Sequence, residues 1–188
     1  MKLHLGCGKN LLPDYTNIDR TENADIVHDI RTLDFIDNDT VDEIYISHVM
    51  EHFSRREIYS VLCEYNRVLK TGATLRISVP DFDSIVSVYN GKNLEILTGL
   101  LYGGQVDEYD YHKICFNFDL LSELLRCCGF GLIQKYDTWE FSQSDDYSKA
   151  YIPHMDRNGT LMSLNVVCTK LSNTFITTPR VKLFTKSL

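Results

Sequence analysis

Nowhere does the 188-residue chain carry an apolar run approaching the roughly 18–20 residues a membrane helix needs, so no helical span is expected. It also lacks a surplus of positive charge: 26 acidic against 19 basic residues leave a formal net charge of −7. Proteins that follow a phosphate backbone show a basic face, so no nucleic-acid partner is expected. The six cysteines, Cys7, Cys63, Cys115, Cys127, Cys128 and Cys168, form no Cys-x-x-Cys and do not pair with histidines at metal-ligand spacing. That excludes a recognisable thiolate metal centre and points to free thiols in a reducing cytosol, with no metal expected. There is no repeat, no low-complexity run and no secretory leader, the first strand beginning almost at Met1, which makes a cytoplasmic protein the expectation.

What remains is ordinary globular composition, 44% hydrophobic and 24% charged, enough for one domain with a full core. Strand and helix signals alternate. Lys2–Leu5, Thr16–Ile18, Asp25–His28 and Val41–Ser47 read as four strands. Arg55–Leu69 carries apolar residues at helical spacing, with Ser54 and Glu57 placed as a capping box and Lys70-Thr71-Gly72 as its end. Ala73–Val79 is a fifth strand, stopped by Pro80-Asp81. After helical patches at Ser84–Tyr89 and Leu94–Leu101 comes a polar, tyrosine-rich stretch, Gln105–Tyr111. Asp119–Cys128 reads as a helix capped by Asp119 and ended by Gly129, and Phe130–Tyr136 and Leu164–Thr169 as a last strand pair. Alternating strands and crossovers indicate an α/β fold around a mainly parallel sheet.

The most informative segment is Leu3-His4-Leu5-Gly6-Cys7-Gly8, followed by Asn17-Ile18-Asp19. Glycines at the end of a strand let the backbone turn sharply and approach a ligand. A carboxylate at the end of the next strand can accept from both hydroxyls of a ribose. Only ten residues separate Gly8 from Asp19, Pro13 interrupts them, and Asn10 stands where a third glycine would be needed. A dinucleotide unit places a full helix and about 20 residues in that interval, so a nicotinamide or flavin dehydrogenase is disfavoured.

With His-Asp-Ile at 28–30, His-Val-Met-Glu-His-Phe at 48–53, Arg-Val-Leu-Lys-Thr-Gly at 67–72 and Leu-Arg-Ile-Ser-Val-Pro-Asp at 75–81, these motifs stand in a fixed order. The sequence resembles a class I S-adenosylmethionine-dependent methyltransferase. More narrowly, it is similar to the small bacterial group of predicted methyltransferases of the type 11 kind, many of them near glycan-assembly genes. The resemblance covers roughly Lys2 to Cys168 and implies a Rossmann-like, mainly parallel seven-stranded sheet with an antiparallel C-terminal hairpin and helices on both faces. It implies one domain over residues 1–170, with a lid-like insertion around 82–112 and a basic tail over 171–188. It implies S-adenosylmethionine as cofactor and S-adenosylhomocysteine as product, with Gly6, Cys7 and Gly8 around the methionine moiety and Asp19 on the ribose. Asp29 and Ile30 would line the adenine, and Ser47 and His48 would end the fourth strand where methyl group and acceptor meet. His4 stands where many such enzymes carry an acid.

Methyl transfer from a sulfonium is driven largely by positioning, and a hydroxyl acceptor must also lose a proton, which a base near neutral pKa assists. His48 and His112 are the candidate catalytic residues; Glu51 either orients a histidine or favours the start of a helix. His4, His28 and His154 read as packing or surface residues. No Asn/Asp-Pro-Pro-Tyr motif of amino-methylating nucleic-acid enzymes is present. The expected activity is methylation of a small-molecule or sugar-containing acceptor, with O-methylation favoured over N-methylation of a small amine, or over a non-catalytic cofactor-binding scaffold. Cover for the cofactor would come from Phe82–His112, from Gln143–Gly159 or from a second subunit, and the basic tail on an acidic body suggests a homodimer.

Overall fold

The computed structural model describes residues 1–137, 146–152 and 158–185. Its strands are β1 (Lys2–Leu5), β2 (Thr16–Asp19), β3 (Ile26–Val27), β4 (Val41–Ser47), β5 (Leu69–Pro80), β6 (Phe130–Lys135), β7 (Tyr151–Ile152), β8 (Thr160–Leu161) and β9 (Ser163–Lys170). The helices are α1 (Ile58–Val68), α2 (Phe82–Val88), α3 (Leu94–Tyr102), α4 (Phe118–Cys127) and α5 (Lys182–Thr185). One seven-stranded sheet has the order β3-β2-β1-β4-β5-β9-β6. β1 to β5 run parallel, and β9 is antiparallel to both β5 and β6. This is the Rossmann-like sheet with a terminal antiparallel hairpin that the resemblance implies. β7 and β8 make a separate two-stranded ladder.

Side chains alternate across a sheet, so the register fixes what each face holds. Leu3, Ile44, Leu75 and Cys168 form one row, and Leu5, Ile46, Ile77 and Val166 form the next on the same face. Against them pack Val61, Leu62, Tyr65 and Val68 of α1 and Leu121, Leu124 and Leu125 of α4, in one continuous core. The row between them runs Asn17, His4, Tyr45, Arg76 and points to the opposite face, which is polar. A single 3₁₀ turn at Tyr147–Lys149 lies over that side, with the Tyr45 hydroxyl donating to the Asp146 carboxylate. The short crossovers β1–β2 and β2–β3 hold no helix, as Pro13 and the ten-residue interval anticipate. Asn17 knits them instead: its amide nitrogen donates to Leu12 O at 3.1 Å and Asp25 Oδ2 at 2.8 Å, while its oxygen accepts from Leu12 N at 2.8 Å.

That same oxygen lies 3.1 Å from His4 Nδ1, which must therefore carry the hydrogen. Burial lowers the His4 pKa below its ordinary 6.5. The unfolded chain then binds the proton more readily than the fold does. His4 contributes its full share of stability above about pH 6.5, and loses it as pH falls below that value. On acidification from pH 7.5 to 5.5, thermal melts of the wild type should drop further than those of His4→Gln.

Three local readings are corrected by the structure. α1 starts at Ile58, three residues beyond Arg55, although Glu57 Oε2 still accepts from Ser54 N at 2.8 Å as one half of the capping box. Lys70-Thr71-Gly72 do not end that helix. Leu69 is already extended, and the pairing shifts from Val41–Leu69 to Glu43–Thr74, leaving 70–73 opposite Asp42 as a bulge in which Gly72 has φ +86°. The cap of α4 is Asn117, accepting from Leu120 N at 3.0 Å; Asp119 lies in the first turn and pairs with Arg180. Gly129 does end that helix, at φ +83°. The tail has structure as well. Ile176 N donates to Cys127 O at 2.9 Å, Val181 is fully buried, and Arg180 reaches Glu123 at 3.2 Å.

Candidate active site

The carboxyl edge of the parallel strands collects the site, as open α/β sheets require. At the end of β1 the chain turns at Gly6, whose φ is +69° and whose N–H donates to Ile18 O at 2.8 Å. A Cβ there would lie 2.3 Å from Val49 Cγ2, so the glycine also lets the segment after β4 come close. Gly8 has φ +52° and its missing Cβ faces open space. Asp19 Oδ2 accepts from Gly8 N at 3.0 Å and Oδ1 from Thr21 N at 2.9 Å. A carboxylate offers about four acceptor positions, so each oxygen keeps one for a further donor. Cys7 is buried inside this loop, and burial pushes its thiol up to about 11, which keeps it neutral and structural.

At Asp29 and Ile30, which the resemblance assigns to adenine, the arrangement is less simple than expected. The Asp29 carboxylate is clasped by Arg31, with Nε 3.0 and 2.9 Å from its two oxygens, and this contact holds it below the ordinary carboxylate range. The Ile30 side chain turns into the main core. Ser47 closes β4 with its Oγ buried and, among the described residues, without a hydrogen-bond partner.

Beyond β4 four side chains converge. His48 has a left-handed backbone, φ +53°, and its N–H donates to Ser78 O at 2.8 Å. Ser163 Oγ donates to Tyr147 O at 2.6 Å, so it accepts from His48 Nε2 at 2.8 Å. His48 Nδ1 lies 3.3 Å from Glu51 Oε1, close enough for an ion pair but not aligned as a hydrogen bond. Both ring nitrogens of His48 thus face protein groups.

Glu51 is 1% exposed and sits on the 3₁₀ turn Met50–His52, so no helix begins there for it to cap. Burial raises its pKa, but contact with His48 and the charges of His48 and His52 outweigh burial, leaving the carboxyl below its ordinary value. His112 is brought over it by Lys113 N, which donates to Glu51 O at 2.8 Å. His112 Nδ1 lies 2.9 Å from Leu100 O; a carbonyl can only accept, so Nδ1 carries the hydrogen and Nε2 keeps its lone pair. That Nε2 is 3.8 Å from Glu51 Oε1. Burial lowers the His112 pKa more than Glu51 raises it, which keeps the ring neutral near pH 7. His52 stands edge-on to His112, ring centroids 4.8 Å apart.

The sequence marks His48, Glu51 and His112 separately; the structure joins them. Ser163, 115 positions from His48, carried no sequence signal. His4 is a packing residue against Tyr45, and His28 lies near the surface, Nδ1 2.9 Å from Asp29 O and its ring against Phe35. His154 lies outside the described residues, as do 143–145 and 153–157 of the stretch 143–159.

The loop after α3 folds back on itself, Gln105 N donating to Asp110 O at 3.1 Å and His112 N to Tyr102 O at 3.1 Å. Its far side is tied to the residue after Asp19: the Arg20 guanidinium stacks 3.1 Å over the Tyr109 ring and lies 3.7 Å from Asp107. Residues 103–112 therefore reach from Glu51 to the end of β2. These exposed contacts together are worth roughly 0.5–1.5 kcal/mol, so Arg20→Ala should loosen the loop and speed amide hydrogen exchange over 103–112 about two- to tenfold. An open cleft along α1 is lined by Asn38, Asp39, Tyr59, Cys63 and Arg67 and includes none of the candidate active-site side chains.

Residues 3–77, which hold the glycine loop, Asp19 and the His48–His52 segment, match the family model of a methyltransferase domain. No curated protein sequence matches the chain. Among solved structures, an S-adenosylmethionine-dependent methyltransferase of Methanosarcina mazei is similar at 15% identity and TM-score 0.57, over 90% of this chain and 92% of that one. One from Archaeoglobus fulgidus is similar at 15% identity and TM-score 0.56, over 90% and 85%. The 1,6-didemethyltoxoflavin-N1-methyltransferase of Burkholderia thailandensis, with 1,6-didemethyltoxoflavin and S-adenosylhomocysteine bound, aligns at 14% identity and TM-score 0.56, over 91% and 71%. These likenesses establish the class I methyltransferase fold. The match over residues 3–77 adds that the part of the chain holding the glycine loop and Asp19 is similar in sequence to a methyltransferase domain. No helix among the described residues is long and apolar enough to cross a membrane.

Proposed function

We propose that this enzyme O-methylates a small or sugar-containing acceptor at the carboxyl end of β4. The observation that carries the reading is His112, whose Nδ1–H is taken by Leu100 O so that Nε2 keeps its lone pair, 3.8 Å from the buried Glu51 Oε1. In this reading Gly6 to Gly8 hold the methionine end, Asp19 accepts from the ribose hydroxyls, and residues 82–112 form the lid. Ser47, unpartnered at its Oγ, faces the methyl-transfer end. Because Arg31 occupies the Asp29 carboxylate, the adenine is held chiefly by backbone at Asp29 and Ile30.

The acceptor oxygen attacks the methyl carbon in line, the carbon–sulfur bond breaks, and sulfur keeps the electron pair. The hydroxyl proton passes to His112 Nε2, and Glu51 stabilises the imidazolium that results. His48 is a positioning residue: fixed by Ser163 on one side, it holds Glu51 in place on the other.

The test is S-adenosylhomocysteine release with matched panels of hydroxyl and amine acceptors, in the wild type and in His112→Gln. Hydroxyl turnover should fall about 10²–10⁴-fold in the variant, with S-adenosylmethionine affinity kept within threefold. Preferential methylation of amines, unaffected by His112→Gln, would favour N-methylation instead; a neutral amine attacks without a base.

A further inference from the structure

The same corner of the molecule holds buried polar atoms that the hydrogen bonds do not account for. Among the described residues, both carboxylate oxygens of Glu51 and Nδ1 of His52 are buried without a hydrogen-bond partner. His48 offers Glu51 a charge contact at 3.3 Å but no hydrogen bond, and buried polar groups elsewhere in proteins are nearly always hydrogen-bonded. One ligand atom each from Glu51, His52 and His112 lie within 4.8 Å of one another. Around an ion with bonds of about 2.0–2.2 Å, ligand atoms stand roughly 3–4 Å apart, so closure onto an ion requires only small side-chain movements.

We propose that Glu51, His52 and His112 form a binding site for a divalent transition-metal ion, with open coordination positions toward the acceptor.

The surroundings are built as such sites are. A ligating histidine donates its other nitrogen to a carbonyl or carboxylate, which fixes ring and tautomer; His112 does this to Leu100 O. A ligating carboxylate is steadied by a second group, and His48 Nδ1, itself anchored by Ser163, stands 3.3 Å from Glu51 Oε1. Two imidazoles and one carboxylate suit zinc, cobalt, iron or manganese, and leave positions for water or substrate. Magnesium and calcium prefer all-oxygen sites and should bind weakly. Val49, in the same segment, packs against Gly6, so the site borders the methionine end of the cofactor loop. The use of the ion rests on the O-methylation reading; its existence does not. In the ion-free enzyme His112 Nε2 is the base of the mechanism above; with the ion bound that lone pair is a ligand, and the ion takes over the activation of the hydroxyl. A hydroxyl coordinated beside it is acidified and releases its proton to water, and the oxygen takes the methyl group as the sulfonium carbon–sulfur bond breaks.

Cobalt(II) added to chelator-treated full-length protein tests this directly. The expected result is one equivalent bound, with visible d–d bands, displaced by zinc but not by millimolar magnesium. Glu51→Gln and His52→Ala, each shown folded by circular dichroism, should weaken cobalt binding at least tenfold. No bands in the wild type, or bands of equal affinity in both variants, would overturn the site. Chelator-sensitive methylation of hydroxyl acceptors would support the ion's use. Specific cobalt binding in an enzyme that methylates only amines would leave the site standing and overturn the O-methylation reading.

Discussion

Asp19→Ala should weaken S-adenosylmethionine and S-adenosylhomocysteine binding by about 10²–10⁴-fold in calorimetric titration. The figure follows from the acceptor positions that Asp19 keeps after binding Gly8 N and Thr21 N. Two hydrogen bonds from ribose hydroxyls to a charged acceptor are worth roughly 1.5–3 kcal/mol each, and 1.4 kcal/mol is tenfold in affinity. Alanine removes these and also frees Gly8 N–H, so the glycine loop loses its tie to β2. Asp19→Asn keeps one oxygen and no charge, and should fall between wild type and alanine. A variant that binds within threefold of wild type would show that the ribose is held elsewhere.

The second large effect is on stability. Gly6→Ala meets two penalties at once. A left-handed backbone costs an L-residue roughly 1–2 kcal/mol, and a Cβ placed 2.3 Å from Val49 Cγ2 overpacks the contact at about 1–3 kcal/mol. The sum, about 2–5 kcal/mol, should lower the melting temperature by roughly 4–20 °C for a domain of this size. The two penalties separate in a double-mutant cycle. Val49→Ala opens the space, so in the Gly6→Ala background it should recover the steric part and leave the backbone part. Strict additivity of the two substitutions would contradict the close approach of the glycine loop to the segment after β4.

The strands were legible because their apolar residues recur with the sheet's period: Leu3 with Leu5 and Ile44 with Ile46 fall on one face. The loop at Gly6 and the acid at Asp19 were legible because both requirements are local, a positive φ and a carboxylate at a strand end. Lys70-Thr71-Gly72 misled because a cation and a glycine end a helix and fill a bulge equally well. What decides is Asp42 on the neighbouring strand, which local sequence does not contain. Asp29 presents the same limit: a carboxylate after β3 reads as free, yet Arg31 two residues on clasps it. His48, Glu51 and His112 could each be marked as reactive types. Their tautomers and contacts depend on Ser163, Leu100 and Lys113, which only the folded chain brings to them.

A crystal structure of the complex with S-adenosylhomocysteine tests the central claim most directly. The homocysteine is expected on Gly6–Gly8, the ribose hydroxyls on Asp19, and the sulfur turned toward Ser47–His52 beneath the 103–112 loop. Ligand density at another edge of the sheet, or with the sulfur turned away from His112 and Glu51, would contradict it.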